Sequence, residues 1–98
     1  MLNLAKALKS SLPFKVKIYQ SVCDQFKDKG IEIDPEYAHE VKDVFDSKDI
    51  TGIVCLIPVE EELLALPVTY LTFMDSFPLK VRVEHYKRKR IKKVGALQ

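Results

Sequence analysis

The stretch Pro13–Gly30 reads PFKVKIYQSVCDQFKDKG, and it carries two incompatible periodicities. Phe14, Ile18, Val22 and Phe26 recur every four residues, with Tyr19 and Cys23 alongside. Lys17, Gln20, Asp24, Lys27 and Asp28 fall on the opposite side, which is the pattern of an amphipathic helix. Yet Phe14-Lys15-Val16-Lys17-Ile18 alternates, as a half-buried strand does. Ser10 or Ser11 as a cap, Pro13 in a first turn and Gly30 as a left-handed residue past the end favour one helix over 13–29.

Toward the C-terminus, Ile31 and Ile33 form a short inward-packing connection. Asp34-Pro35-Glu36 then resembles a helix start, with Asp34 as cap, Pro35 in the first helical position and Glu36 near the positive end of the dipole. Tyr37, Ala38, Val41, Val44 and Phe45 would form the buried face of a second helix ending near Asp46 or Ser47. Gly52 precedes Ile53-Val54-Cys55-Leu56-Ile57, a continuous apolar run suited to a strand central in a sheet or buried on both faces. Glu62 to Leu66 reads as a strand pairing back, with a helical turn over 60–66 as the alternative. Pro67 marks an edge or break, and Val68 to Phe73 is rich in strand formers. The expected fold class is α+β: two N-terminal helices packed on a small antiparallel sheet of two to three strands.

The ends extend this core. Residues 1–11 read as a short helix within an arm over 1–12, which docks on its own domain or on a second subunit. At the other end, Leu79, Val81 and Val83 alternate with Lys80 and Arg82 as in a strand. The stretch is about three times the usual strand length, and Asp75 or Ser76 before Pro78 is a helix-start signal. A basic helix over 78–93 is expected, with a strand as the alternative. Leu79, Val83 and Tyr86 would join the core, leaving Lys87 onward to serve a partner.

Ninety-eight residues, 47% hydrophobic and 31% charged, fit one globular domain. The longest uncharged apolar run, 50–59, is far short of the ~18 residues a membrane span needs. Lys6 and Lys9 interrupt the only candidate signal sequence, and no arginine precedes Arg82, so no cleaved targeting segment is expected. Cys23 and Cys55 lie in apolar runs, which suits reduced thiols and a cytoplasmic setting.

Charge is the clearest functional signal. Residues 79–98 hold eight basic residues and one acid, whereas residues 1–78 hold eight basic residues and thirteen acids. A formal net charge of +2 therefore conceals a body near −5 and a C-terminal segment near +7. Lys87, Arg88, Lys89, Arg90, Lys92 and Lys93 are the residues expected to meet an anionic partner. A cationic run of this kind suits phosphates without sequence readout, and Tyr86 could stack on an unpaired base. The plainer reading is a solvated basic end. A helix-turn-helix reading of 13–47 fails on charge, because its second helix carries Asp34, Glu36, Glu40, Asp43 and Asp46 against Lys42 alone.

Glu36, His39, Glu40 and Asp43 recur at helical spacing and include a Glu-x-x-His half-motif of dimetal sites. The other half is missing, so a solvated acidic face is the expected reading and no metal is assigned. Neither a Gly-rich phosphate loop nor a nucleophile constellation occurs. No catalytic residue, cofactor or membrane contact is expected. Opposite charge poles favour association with a like copy or an acidic protein. Apolar residues in excess of a small sheet's needs (Leu63, Leu64, Leu66, Leu71, Phe73, Met74, Phe77) suggest an interface that a homo-oligomer would bury. The expected role is a non-enzymatic assembly module that self-associates. The alternative is a sequence-nonspecific nucleic-acid binder.

Overall fold

The computed structural model describes residues 3–48 and 51–95, with side chains as far as 90. Its elements, in order, are α1 (Leu4–Ser10), β1 (Phe14–Ile18), α2 (Gln20–Lys27), β2 (His39–Val41), β3 (Asp43–Asp46), β4 (Ile53–Val59), β5 (Glu62–Pro67), a 3-10 turn (Val68–Tyr70), β6 (Leu71–Phe73) and α3 (Lys80–Gly95). The fold is α+β, with helices at the N-terminal end and a basic C-terminal helix, as expected. The sheet content is larger than expected. Six strands form two three-stranded antiparallel sheets, ordered β2-β1-β6 and β3-β4-β5.

The strand reading wins at Phe14–Ile18, and the helix expected over 13–29 shrinks to α2. Phe14, Val16 and Ile18 point into the core while Lys15 and Lys17 face outward. Pro13 follows a cis peptide bond and begins this strand instead of a helix. Both periodicities share Phe14 and Ile18, so burial alone did not separate them. Gly30 does take the left-handed conformation expected of it, at φ 85°.

The helix expected over 34–47 is absent and two strands replace it. Asp34 does not cap a helix. Its Oδ1 accepts from the Glu36 N–H at 2.8 Å, and Tyr37 N–H donates to the Asp34 carbonyl, closing a turn. His39 and Val41 then point inward with Glu40 outward. At Lys42 the chain leaves β1 and its N–H donates to Leu56 O of β4 at 2.8 Å. From there Val44 points inward opposite Cys55. One bent strand thus serves both sheets. Tyr37, placed on the buried face of the expected helix, is 60% exposed.

The other elements follow the sequence closely. β4 and β5 form the expected hairpin, so the helical alternative at 60–66 fails, and Glu60 supplies the turn at φ 55°. The strand expected over 68–73 begins with the 3-10 turn and is reduced to β6. α1 docks on its own domain, its Asn3 Oδ1 accepting from Lys6 N–H at 2.9 Å and its Leu8 fully buried. Together β2 and β3 join the sheets on one side, and the 3-10 turn carries β5 round to β6 on the other. The result is a partly open barrel around one core of Val16, Ile18, Val41, Val44, Cys55, Ile57, Leu66 and Phe73. α3 begins beside an aromatic cluster in which Phe77 lies 4.9 Å from Phe14 and 5.6 Å from Phe73, centroid to centroid.

Candidate interaction surfaces

α3 has two faces, and they divide the basic segment. Val83 is fully buried, and one helical turn later Lys87 lies on the same side. Lys87 is only 4% exposed. Its Nζ donates to Tyr19 Oη at 3.0 Å and to Leu71 O, lies 3.7 Å from Glu84 Oε1, and sits over the Tyr19 and Phe73 rings. Lysine manages this because its four-carbon stem is apolar and only the head needs polar partners. Lys87 therefore points into the domain, contrary to the expectation that everything from Lys87 onward faces a partner.

The carbonyl at Leu71 needs such a donor for a reason rooted in strand register. Tyr19 N–H donates to Tyr70 O, so that pair is hydrogen-bonded. Bonded and non-bonded pairs alternate in an antiparallel ladder. The pairs Ile18–Leu71 and Val16–Phe73 are then the non-bonded ones, and their β6 carbonyls face away from β1. β6 is an edge strand. Lys80 Nζ reaches Phe73 O at 2.9 Å and Lys87 Nζ reaches Leu71 O, so two lysines two helical turns apart take both outward carbonyls. Lys80 also donates to Asp75 Oδ1 at 2.6 Å, which holds that carboxyl below its usual range and raises the ammonium.

The opposite face of α3 carries Val81, Arg82, His85, Arg88 and Lys89, all exposed. With Leu4 and Tyr86 they line a depression of about 440 Å³. Leu4 and Tyr86 also line its neighbour, about 470 Å³, whose other walls include Asp46, Lys48, Gly52 and Arg90. Because they share Leu4 and Tyr86 the two adjoin, giving a two-part groove between α3, the start of α1 and the β3–β4 connection. Tyr86 is half-buried between them, and its hydroxyl accepts from Ile53 N–H at 2.9 Å. That contact requires Gly52, at φ 69°, where a Cβ would overlap the Tyr86 hydroxyl. Lys92 and Lys93 lie on the backbone of α3, and their side chains are outside the described residues.

A different surface faces out from β3, β4 and β5. Antiparallel register places Phe45, Val54 and Pro67 in one row, Asp43, Leu56 and Ala65 in the next, and Pro58 with Leu63 in a third, with Val54 itself buried. Sheets of this type normally alternate apolar-in and polar-out. Here the outward positions apart from Asp43 are apolar too, which on β4 is the continuous run read in the sequence. Leu63 is 56% exposed, and Phe45, Pro58 and Ala65 are exposed. Asp43, on the β3 side of the central row, lies 3.6 Å from the Lys9 ammonium. Of the other apolar residues assigned to an interface, Leu64, Leu66, Leu71 and Phe73 are core, and Met74 and Phe77 are half-buried.

The acidic pole lies elsewhere. Asp24, Glu32, Asp34 and Glu60 surround a shallow depression with Lys27 among them. Among the described residues, no group of three or more His, Cys, Asp or Glu is placed to hold a metal. The Glu36, His39, Glu40, Asp43 spacing lies on a turn and a bent strand, with His39 inward and Glu40 outward. His39 is 7% exposed and its Nε2 has no partner. Burial pushes its pKa down, against the opposing pull of a hydrogen bond to the Asp34 backbone. Burial pushes the Cys55 thiol up to about 12, and burial with neighbouring Asp24 raises Cys23 as well. Both thiols stay protonated and unreactive near neutral pH. No helix among the described residues is long and apolar enough to cross a membrane. Set against known proteins, the chain matches no family model, no curated protein and no solved structure.

Proposed function

We propose that the protein is a non-enzymatic assembly module that associates with a second copy through the outer face of β3, β4 and β5. The observation that carries this reading is the row of outward Phe45, Leu56, Pro58, Leu63, Ala65 and Pro67 on a surface where polar residues are the rule. Three strands at ~4.8 Å spacing and seven residues of β4 give a face of about 14 by 20 Å. A standard interface buries about 800 Å² on each partner, so the rim must contribute as well.

The rim is suited to that task. Lys6 and Lys9 of α1 flank the Phe45 end of the face, and Glu60, Glu61 and Glu62 stand at the hairpin end beyond Leu63. A two-fold axis through the centre of the face, near Leu56 and Ala65, sets each copy's basic end against its partner's acidic end. Such an isologous contact is closed and self-complementary, and its charges steer and orient more than they bind.

Sedimentation equilibrium between 10 µM and 1 mM tests the reading. Dimer is expected, and Ala65→Glu is expected to give monomer. Ala65 is exposed and close to the axis, so the substitution sets two carboxylates against each other at little cost to folding. A wild-type protein that stays monomeric across the range refutes the proposal.

A further inference from the structure

The groove between α3, the start of α1 and the β3–β4 connection has a use that self-association leaves open. We propose that it binds the phosphate backbone of nucleic acid, without reading sequence. Five cations line its two parts: Lys48 and Arg90 in one, and Arg82, Arg88 and Lys89 in the other. Lys48 and the α3 arginines are more than thirty residues apart in the chain, and the fold brings them to one surface. Among the described residues a single carboxylate, Asp46, shares the groove, and it accepts from the Lys48 backbone N–H at 2.9 Å. Lys87 contributes nothing to this site because its ammonium is spent inside the domain.

The geometry favours a rod of phosphates. Arg82 to Lys89 spans seven residues of helix, about 10 Å at 1.5 Å per residue. That covers about three 3.4 Å steps along one nucleic-acid strand. Lys48, on the opposite wall beyond Tyr86, adds a contact across the groove. A recessed, two-walled surface suits a strand better than a flat bilayer. The chain's own acidic pole is a weaker match, since its four carboxylates already have Lys27 among them.

Four phosphate contacts on duplex DNA predict a log–log salt slope of about −3.6, or an affinity loss of about 150-fold between 50 and 200 mM salt. The test is fluorescence anisotropy with a labelled 20-base-pair duplex and a labelled 20-nucleotide single strand. Arg88→Glu/Lys89→Glu is expected to weaken binding more than tenfold and to make the slope shallower by about 2. Lys15→Glu/Lys29→Glu changes net charge equally at a distance from the groove and is expected to leave binding within threefold. Circular dichroism melts confirm that both variants fold. Ala65→Glu is expected to bind as the wild type does, which separates this site from self-association. The proposal is overturned by absence of binding at 50 mM salt, by equal losses in the two double variants, or by sedimentation onto phosphatidylserine vesicles without oligonucleotide binding. Binding of a polyglutamate peptide as tightly as the duplex overturns it in favour of an acidic protein.

Discussion

Replacing Lys87 with methionine keeps the length and most of the volume of the side chain and removes the ammonium. The stem stays packed beside Val83, but the donors to Tyr19 Oη and Leu71 O are lost. Tyr19 is partly exposed and can turn its hydroxyl to water. Leu71 O faces away from β1 at a site covered by α3, and a buried acceptor left without a donor costs about 1–3 kcal/mol. The ammonium's own desolvation is relieved at the same time, which offsets part of the charge-assisted bonding. We expect Lys87→Met to lose about 2 kcal/mol. Lys87→Ala also removes about three buried methylenes at about 0.8 kcal/mol each, for a total near 4 kcal/mol. Urea unfolding followed by far-ultraviolet circular dichroism, with equal slopes across the three proteins, measures both. A methionine variant as stable as the wild type, or more so, would refute the reasoning: burial of the stem would then be the whole contribution, and the carbonyl would need no donor.

Two further outcomes follow from the same side of the molecule and from its sheet edge. Gly52→Ala forces a side chain into a left-handed conformation at about 1–2 kcal/mol and displaces the Tyr86 hydroxyl from Ile53 N–H. A total loss of about 3 kcal/mol is expected. Tyr86→Phe alone should lose about 1 kcal/mol, and the two losses should be less than additive in a double-mutant cycle. His39 has its folded-state pKa depressed by burial, so the unfolded chain takes up a proton first as pH falls. Its contribution to stability is present above the ordinary histidine pKa of about 6.5 and is lost as pH drops through the lower folded value. Between pH 7.5 and pH 5 the wild type should therefore lose more of its urea midpoint than His39→Gln does. Equal losses in the two proteins would remove His39 from the account.

The sequence made some of this legible and hid the rest for identifiable reasons. The β4–β5 hairpin could be read because an apolar run bounded by Gly52 and by Pro58 to Glu61 has few other uses. α3 could be read because its length exceeds any strand. The region 34–47 misled for a physical reason. A strand that bends from one sheet into another slips the phase of its alternation by one residue, here between Lys42 and Asp43. Inward positions 39 and 41 are followed by 44, and spacings of two and three together imitate the three-and-four spacing of a helix. Aspartate before proline strengthened the imitation, since the same pair opens turns and helices.

The basic segment was legible as charge but not as surface. Counting residues along the chain adds groups that point in opposite directions. Lys87 lies four residues after Val83, and that spacing was the available sign that it faces inward. The convergence of Lys48 with α3 had no sign at all in the sequence, because it depends on where the β3–β4 connection falls in the finished barrel. The apolar outer face was half visible. The run from Ile53 announced a strand apolar on both sides, but only the register with β3 and β5 shows that Phe45, Leu63 and Ala65 extend it into a surface.

The two α3 lysines that cap the β6 carbonyls also bear on how copies of this protein can grow into larger bodies. An open strand edge is a template, and one chain after another can add to it to build a fibre. On β6 the carbonyls such a newcomer would need already belong to Lys80 and Lys87. An incoming strand would have to expel two ammonium groups and lift a helix. Growth by strand addition is thereby blocked at this edge. Loss of either lysine would reopen a route to polymerisation in a molecule whose fold is otherwise unchanged.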